Sequence, residues 1–177
     1  MLKYLALILF VGIVYAGESC DRKEMEDTIC SLCGQRKESR QSGIAFYAYM
    51  SNNVMVKTFS KHKTFVYDRV ETNIGNGYDA RSGKFTAPES GVYVFHSSTT
   101  AHNKSHCTVE IVQNSAVKDI AWADAIDHND RASASTMTIL NLKKGDIVNT
   151  RVGVTYGGNF MESDIYTRMS FSGFKLM

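Results

Sequence analysis

The sequence predicts an all-β fold, a sandwich or jelly roll of short antiparallel strands. Three observations lead there. Residues alternate with the two-residue period of strands, as in Gly91-Val92-Tyr93-Val94-Phe95, where Tyr93 and Phe95 share one face and Val92 and Val94 the other. Turn formers such as Gly75-Asn76-Gly77, Gln113-Asn114-Ser115, Lys143-Lys144-Gly145 and Gly157-Gly158-Asn159 punctuate these segments. No sustained helical periodicity interrupts them, and strand number and size suit a two-sheet architecture.

Strands are expected near 44–50, 54–59, 64–70, 91–100, 105–112, 116–122, 131–140, 146–155 and 165–176. Phe46, Tyr47 and Tyr49 of the first and Phe171 and Phe174 of the last alternate so as to serve two faces, one inside the sandwich and one toward a neighbour. The run Ser82 to Phe95 packs a turn at Ser82-Gly83, a bend at Pro88 and then an aromatic strand, with Phe85 and Tyr93 expected in the core. In the 105–112 strand Cys107, Val109 and Ile111 share one face, so Cys107 reads as a buried, unpaired thiol.

Tyr67, Asn73, Tyr78, Phe85, Gly91, Tyr93 and Phe95 stand at the intervals of the C1q globular domain. Ala45 to Tyr49, Leu142 to Val148 and Ser170 to Leu176 agree with it, and the chain resembles that family over residues 41–177. Two positions depart: Tyr67 stands where the family usually has Phe, and Ser97 where an aromatic usually closes the motif. The resemblance implies a ten-stranded antiparallel jelly-roll sandwich of C1q/TNF-like type that associates as a homotrimer. With no Gly-X-Y run and one proline, the chain has no collagen stem, and it looks like the stalkless C1q chains of invertebrates, molluscs especially.

Residues 1–16 read as a signal peptide: Lys3 precedes the apolar run Leu5 to Val14, and small Ala16 precedes the expected cleavage. The run is shorter than the ~20 residues a bilayer-spanning helix needs. No later segment is apolar enough for a membrane span, so a secreted, extracellular protein is expected. Residues 17–40 form a Cys-containing stalk or linker, with Cys20, Cys30 and Cys33 as disulfide candidates. Their odd number suggests a bond to another chain. Met25, Ile29 and Leu32 at helical spacing fit either a short stalk bundle or a disulfide-tied linker. Without Lys3 the chain carries 19 basic and 18 acidic side chains, a net +1, which is not a nucleic-acid binder's balance. Asn103-Lys104-Ser105 is a glycosylation candidate at Asn103.

Catalysis finds little support, because the Gly-x-Ser-x-Gly elbow is absent and the sequence reveals no paired carboxylates in an apolar pocket. The expectation is a protein that is not an enzyme. Hard oxygen ligands in one loop, Asp124, Asp127 and Asp130, make calcium a possible cofactor, with a solvated acidic loop as the alternative. Candidate ligand-binding residues are Trp122, Asp127, His128, Tyr156, Asn159 and Glu162, all on or beside the loops at one end of a sandwich. By analogy with similar chains, the expected function is lectin-like pattern recognition in innate immunity, with a carbohydrate or microbial surface ligand. The alternative is a cytokine-like or matrix-associated structural trimer that binds a protein.

Overall fold

The computed structural model describes residues 43–176. The signal-peptide expectation, the stalk and its cysteines lie outside these residues. Twelve strands build two antiparallel sheets: β1 (Ala45–Tyr49), β2 (Val54–Met55), β3 (Arg69–Ile74), β4 (Tyr78–Asp79), β5 (Lys84–Thr86), β6 (Gly91–His102), β7 (His106–Gln113), β8 (Ala116–Asp124), β9 (Arg131–Leu142), β10 (Ile147–Gly157), β11 (Phe160–Met161) and β12 (Ser170–Lys175). In the first sheet β6 is central. One edge carries β9 along its whole length, and the other carries β12 from Tyr93 to Ser98 and β11 at Ala101 and His102. β1 and β3 continue beyond β12, and β2 beyond β11. The second sheet runs β4-β5-β10-β7-β8.

The long strands fall where alternation places them, and the short connections correct it. Residues 54–59 hold a two-residue strand followed by a 3-10 turn at Val56–Thr58. The 64–70 segment is bridged to β10 only at Thr64, and the regular strand starts at Arg69. The last strand begins at Ser170 rather than 165, because Ser163 and Asp164 tie the preceding residues into a loop. A two-residue hairpin closes β7–β8, with positive φ at Asn114 and Ser115, the geometry that matches strand twist, while residues 103–105 carry the chain from β6 in the first sheet to β7 in the second with positive φ at Asn103 and Lys104.

Between the sheets lies an aromatic cluster. Phe46 sits 5.0 Å from Tyr78, 5.1 Å from Phe85 and 5.0 Å from Phe171, and Phe85 meets Tyr93 and Phe95 at 5.6 and 5.4 Å. All six rings are buried, and each such pair adds about 0.5–1.5 kcal/mol beyond its burial. The rings need room from the backbone opposite. A Cβ on Gly173 would stand 2.6 Å from the Phe95 ring and 2.9 Å from that of Phe46, so β12 passes close only because it has a glycine there.

Tyr67 explains one departure from the expected pattern. Its hydroxyl lies 2.8 Å from Thr150 Oγ1, and burial pushes its pKa up to about 12, so it stays a neutral hydrogen-bonding group. A phenylalanine here would leave the fully buried Thr150 hydroxyl without this partner. Cys107, Val109 and Ile111 are all fully buried, as the alternation requires, and Cys107 is free.

Truncating Phe85 to Ala should cost about 3–5 kcal/mol in denaturant unfolding, a large part of the ~5–15 available to a domain. Burial also raises the Cys107 thiol to about 12. Iodoacetamide should therefore leave Cys107 unmodified in the native protein and alkylate it in denaturant, as read by peptide mass spectrometry.

A candidate recognition end of the sandwich

Four loops meet at one end of the sandwich, joining β6 to β7, β8 to β9, β10 to β11 and β11 to β12. Backbone bonds lash them together: Lys104 N donates to His128 O at 3.0 Å, and Ala125 N to Ser105 O at 2.9 Å. The Ser105 hydroxyl, wholly buried, accepts from the amides of Asn159 and Phe160 at 2.9 and 3.1 Å. Asn159 Nδ2 donates to Asn103 O at 3.1 Å. The sequon that marks Asn103 thus also supplies a structural hydroxyl through Ser105.

The anchor of this end is Glu162, 2% exposed. Arg131, the first residue of β9, grips it with Nε at 2.5 Å and Nη2 at 2.8 Å, and His102 Nδ1 lies 3.5 Å away. The forked pair supplies the fixed geometry that a single point charge does not. Glu162 holds Arg131 above its usual basicity, chiefly through these hydrogen bonds. The guanidinium also lies 4.8 Å from the centre of the Tyr166 ring.

Ile165 and Tyr166 form the tip of the β11–β12 loop and are 87% and 72% exposed. The loop beneath them is braced. Asp164 Oδ1 accepts from Tyr166 N at 2.9 Å, and this amide holds its carboxyl below the usual range. The Ser163 hydroxyl donates to Met50 O at 2.6 Å and accepts from Met169 N at 3.2 Å. A large apolar pair is therefore displayed on an ordered support.

The residues singled out from sequence divide among different places. Asp127, His128 and Asn159 are exposed on the loop end. Glu162 is committed to Arg131. Tyr156 turns away and packs edge-on against Phe59 at 6.1 Å, beside the core. Trp122 is 57% exposed on the outer face of the second sheet, where its flanking neighbours Ala121 and Ala123 point inward. Asp124 Oδ1 accepts from Ile126 N at 3.0 Å and Asp130 Oδ1 from Arg131 N at 2.8 Å, so both carboxylates organise their own loop. Among the described residues no three His, Cys, Asp or Glu side chains gather in metal-holding geometry. Sequence reasoning missed the Arg131–Glu162 pair, which no local pattern announces. It also missed Ile165 and Tyr166 by extending the last strand over them, although Ser163-Asp164 is a turn signal.

The Arg131–Glu162 pair should respond asymmetrically to truncation. Arg131→Met leaves a carboxylate almost fully buried without its forked partner and should lower the midpoint of chemical unfolding markedly. Glu162→Gln leaves a guanidinium that reaches water and should lower it less.

The C1q domain family matches residues 45–176. Heavy metal-binding protein HIP of Mytilus edulis is 32% identical over 111 residues, covering 62% of this chain and 50% of that protein. Complement C1q tumor necrosis factor-related protein 2 of Mus musculus is 28% identical over 145 residues, covering 82% of this chain and 45% of that one. The chain spans about half the length of these two relatives. Among solved structures, the globular domain of zebrafish complement 1qA protein superposes with a TM-score of 0.59 at 16% identity, covering 76% of this chain and 98% of that one. Murine APRIL does so with 0.56 at 14%, covering 76% and 99%. Both share the two-sheet jelly roll found here. With the family pattern spanning nearly all of the described strands, the chain belongs to the C1q domain family.

Proposed function

We propose that this chain is a secreted recognition protein that assembles as a homotrimer and presents its loop end three times to carbohydrate on a microbial or cellular surface. The observation that carries the reading is the outward face of the first sheet. In register across five strands stand Ile139, Val94, Phe174, Ala45 and Ile74, and the next row holds Met137, His96, Ser172, Tyr47 and Thr72. Ile139, Phe174, Ile74, Met137 and Tyr47 are 60%, 47%, 55%, 63% and 37% exposed in the single chain. A solvated sheet face would carry polar side chains at these five positions, and an unbroken apolar row flanked by Met137 and Tyr47 marks an association surface.

Residues 1–16 supply the secretion signal in this reading, and Cys20, Cys30 and Cys33 of the 17–40 segment supply cross-links between copies. Threefold repetition raises avidity by effective concentration, so each site need bind only weakly. Tyr166 offers a ring for stacking on a sugar, with Asp127, His128 and Asn159 as nearby polar groups. Calcium remains a proposed helper at Asp124, Asp127 and Asp130. Since the described residues of one chain gather no ligand trio, any ion would draw on more than one copy or on the ligand itself. The metal named for the Mytilus relative enters on the same terms.

A second reading is favoured by Ile165, whose 87% exposure suits an apolar cleft in a protein better than a sugar. In it the trimer is cytokine-like and engages a protein partner.

The secreted protein should have a native mass of three chains by light scattering. Ile139→Lys with Phe174→Lys should reduce it to one chain with the β-sheet circular dichroism retained. A glycan and microbial-polysaccharide screen, run in calcium and in chelator, should give signals that fall severalfold in Tyr166→Ala. A wild-type mass of one chain overturns the assembly, and no glycan signal in either condition overturns the lectin reading in favour of a protein partner.

A further inference from the structure

On the side of the sandwich away from the β8 and β9 edges, the chain crosses from the first sheet to the second through residues 50–66. This crossing frames a cleft of about 290 Å³ lined by Met50, Val54, Phe59, Lys63, Thr64, Phe65, Val66 and Val152. Its floor is core: Met50, Phe65 and Val152 are buried. Its walls are fixed, since Phe59 packs edge-on against Phe65 at 5.4 Å and against Tyr156 at 6.1 Å. Val66 stands 41% exposed at the mouth.

Two lining residues are polar, and both can donate. Lys63 follows His62, whose positive φ of 67° closes a turn that aims the chain back onto β10. The Lys63 backbone is pinned there, with Val152 N donating to Lys63 O at 2.9 Å. One proton of its ammonium goes to Thr58 O at 2.7 Å, leaving two donors. Thr64 Oγ1 accepts from Asn149 Nδ2 at 3.3 Å, which leaves the hydroxyl proton to be given elsewhere. Among the described residues no acidic side chain lines the cleft.

From an apolar floor, a volume at the small end of the ~300–1,000 Å³ usual for ligand sites, and a mouth that offers a cation and a hydroxyl donor, we propose that this cleft binds a small amphipathic carboxylate. The ligand's hydrocarbon lies on Met50, Phe65 and Val152, and its carboxylate accepts from Lys63 Nζ and Thr64 Oγ1. The cleft shares no lining side chain with the exposed loop-end residues or the outward face of the first sheet, so the proposal stands whether or not the chain is a trimer or a lectin.

Octanoate, octanol and acetate are the probes, titrated calorimetrically into the full secreted chain. Octanoate should bind saturably and raise the melting temperature, octanol should bind about tenfold more weakly for want of the charge-assisted bond, and acetate should not bind. Lys63→Met keeps the aliphatic body and should erase the tenfold preference while sparing octanol. Val66→Trp, at an already exposed position, should block both ligands with the melting temperature of the free protein unchanged. Absence of saturable octanoate binding, equal affinity for octanoate and octanol, or unchanged octanoate binding in Val66→Trp would each overturn the proposal.

Discussion

The packing of rings between the two sheets is the interaction on which the rest of this protein depends. Phe46 from β1, Phe95 from β6 and Phe171 from β12 come from the first sheet, Phe85 from the second, and Tyr78 and Tyr93 complete the contacts. These strands are far apart in sequence, so their meeting fixes the topology as well as the thickness of the sandwich. Interiors of this density have little tolerance for added volume. That is why the glycines opposite the rings matter: a Cβ on Gly77 would lie 2.4 Å from the Phe85 ring, and one on Gly173 would collide with two rings at once.

A rigid centre leaves the periphery free to do other work. At the loop end, the buried Glu162 fixes Arg131, which backs Tyr166, while Ser163 and Asp164 hold the loop that exposes Ile165. The chain thereby orders a tip whose Ile165 side chain is left in water, an arrangement that makes sense when the gain comes from a contact outside the chain. The outward face of the first sheet follows the same logic. Strand period forces every second side chain outward, and Ile74, Ile139, Phe174, Met137 and Tyr47 stand there with much of their apolar surface uncovered. Thr136 and Asp119, hydrogen-bonded between β9 and β8, tie the two sheets at the neighbouring edge.

Strand alternation made the long strands, the buried faces of β6 and β7, and the inward placement of Phe85, Tyr93 and Cys107 legible in the sequence, because these depend on period and on size. The irregular crossing through residues 50–68 was not legible. Its residues bond to partners about 85 to 110 positions away, as Asn149 does to Thr64 and Ser163 to Asn53, and such bonds leave no local period. The candidate site was half legible for the same reason. Asp127, His128 and Asn159 announce themselves as polar loop residues, whereas the burial of Glu162 and the exposure of Ile165 invert what composition suggests for each type. Tyr156 looked like a loop residue because glycines follow it, but its ring packs toward Phe59 and the core.

If the ring cluster is the keystone, it should be the last part of the protein to open. Native-state amide hydrogen exchange resolves this strand by strand. The account predicts that the most protected amides lie in β1, β6 and β12 around Phe46, Phe95 and Phe171, and that they exchange together with the free energy of global unfolding. Finding the greatest protection in the β7–β8 hairpin, with β1 and β12 opening well below the global value, would contradict it.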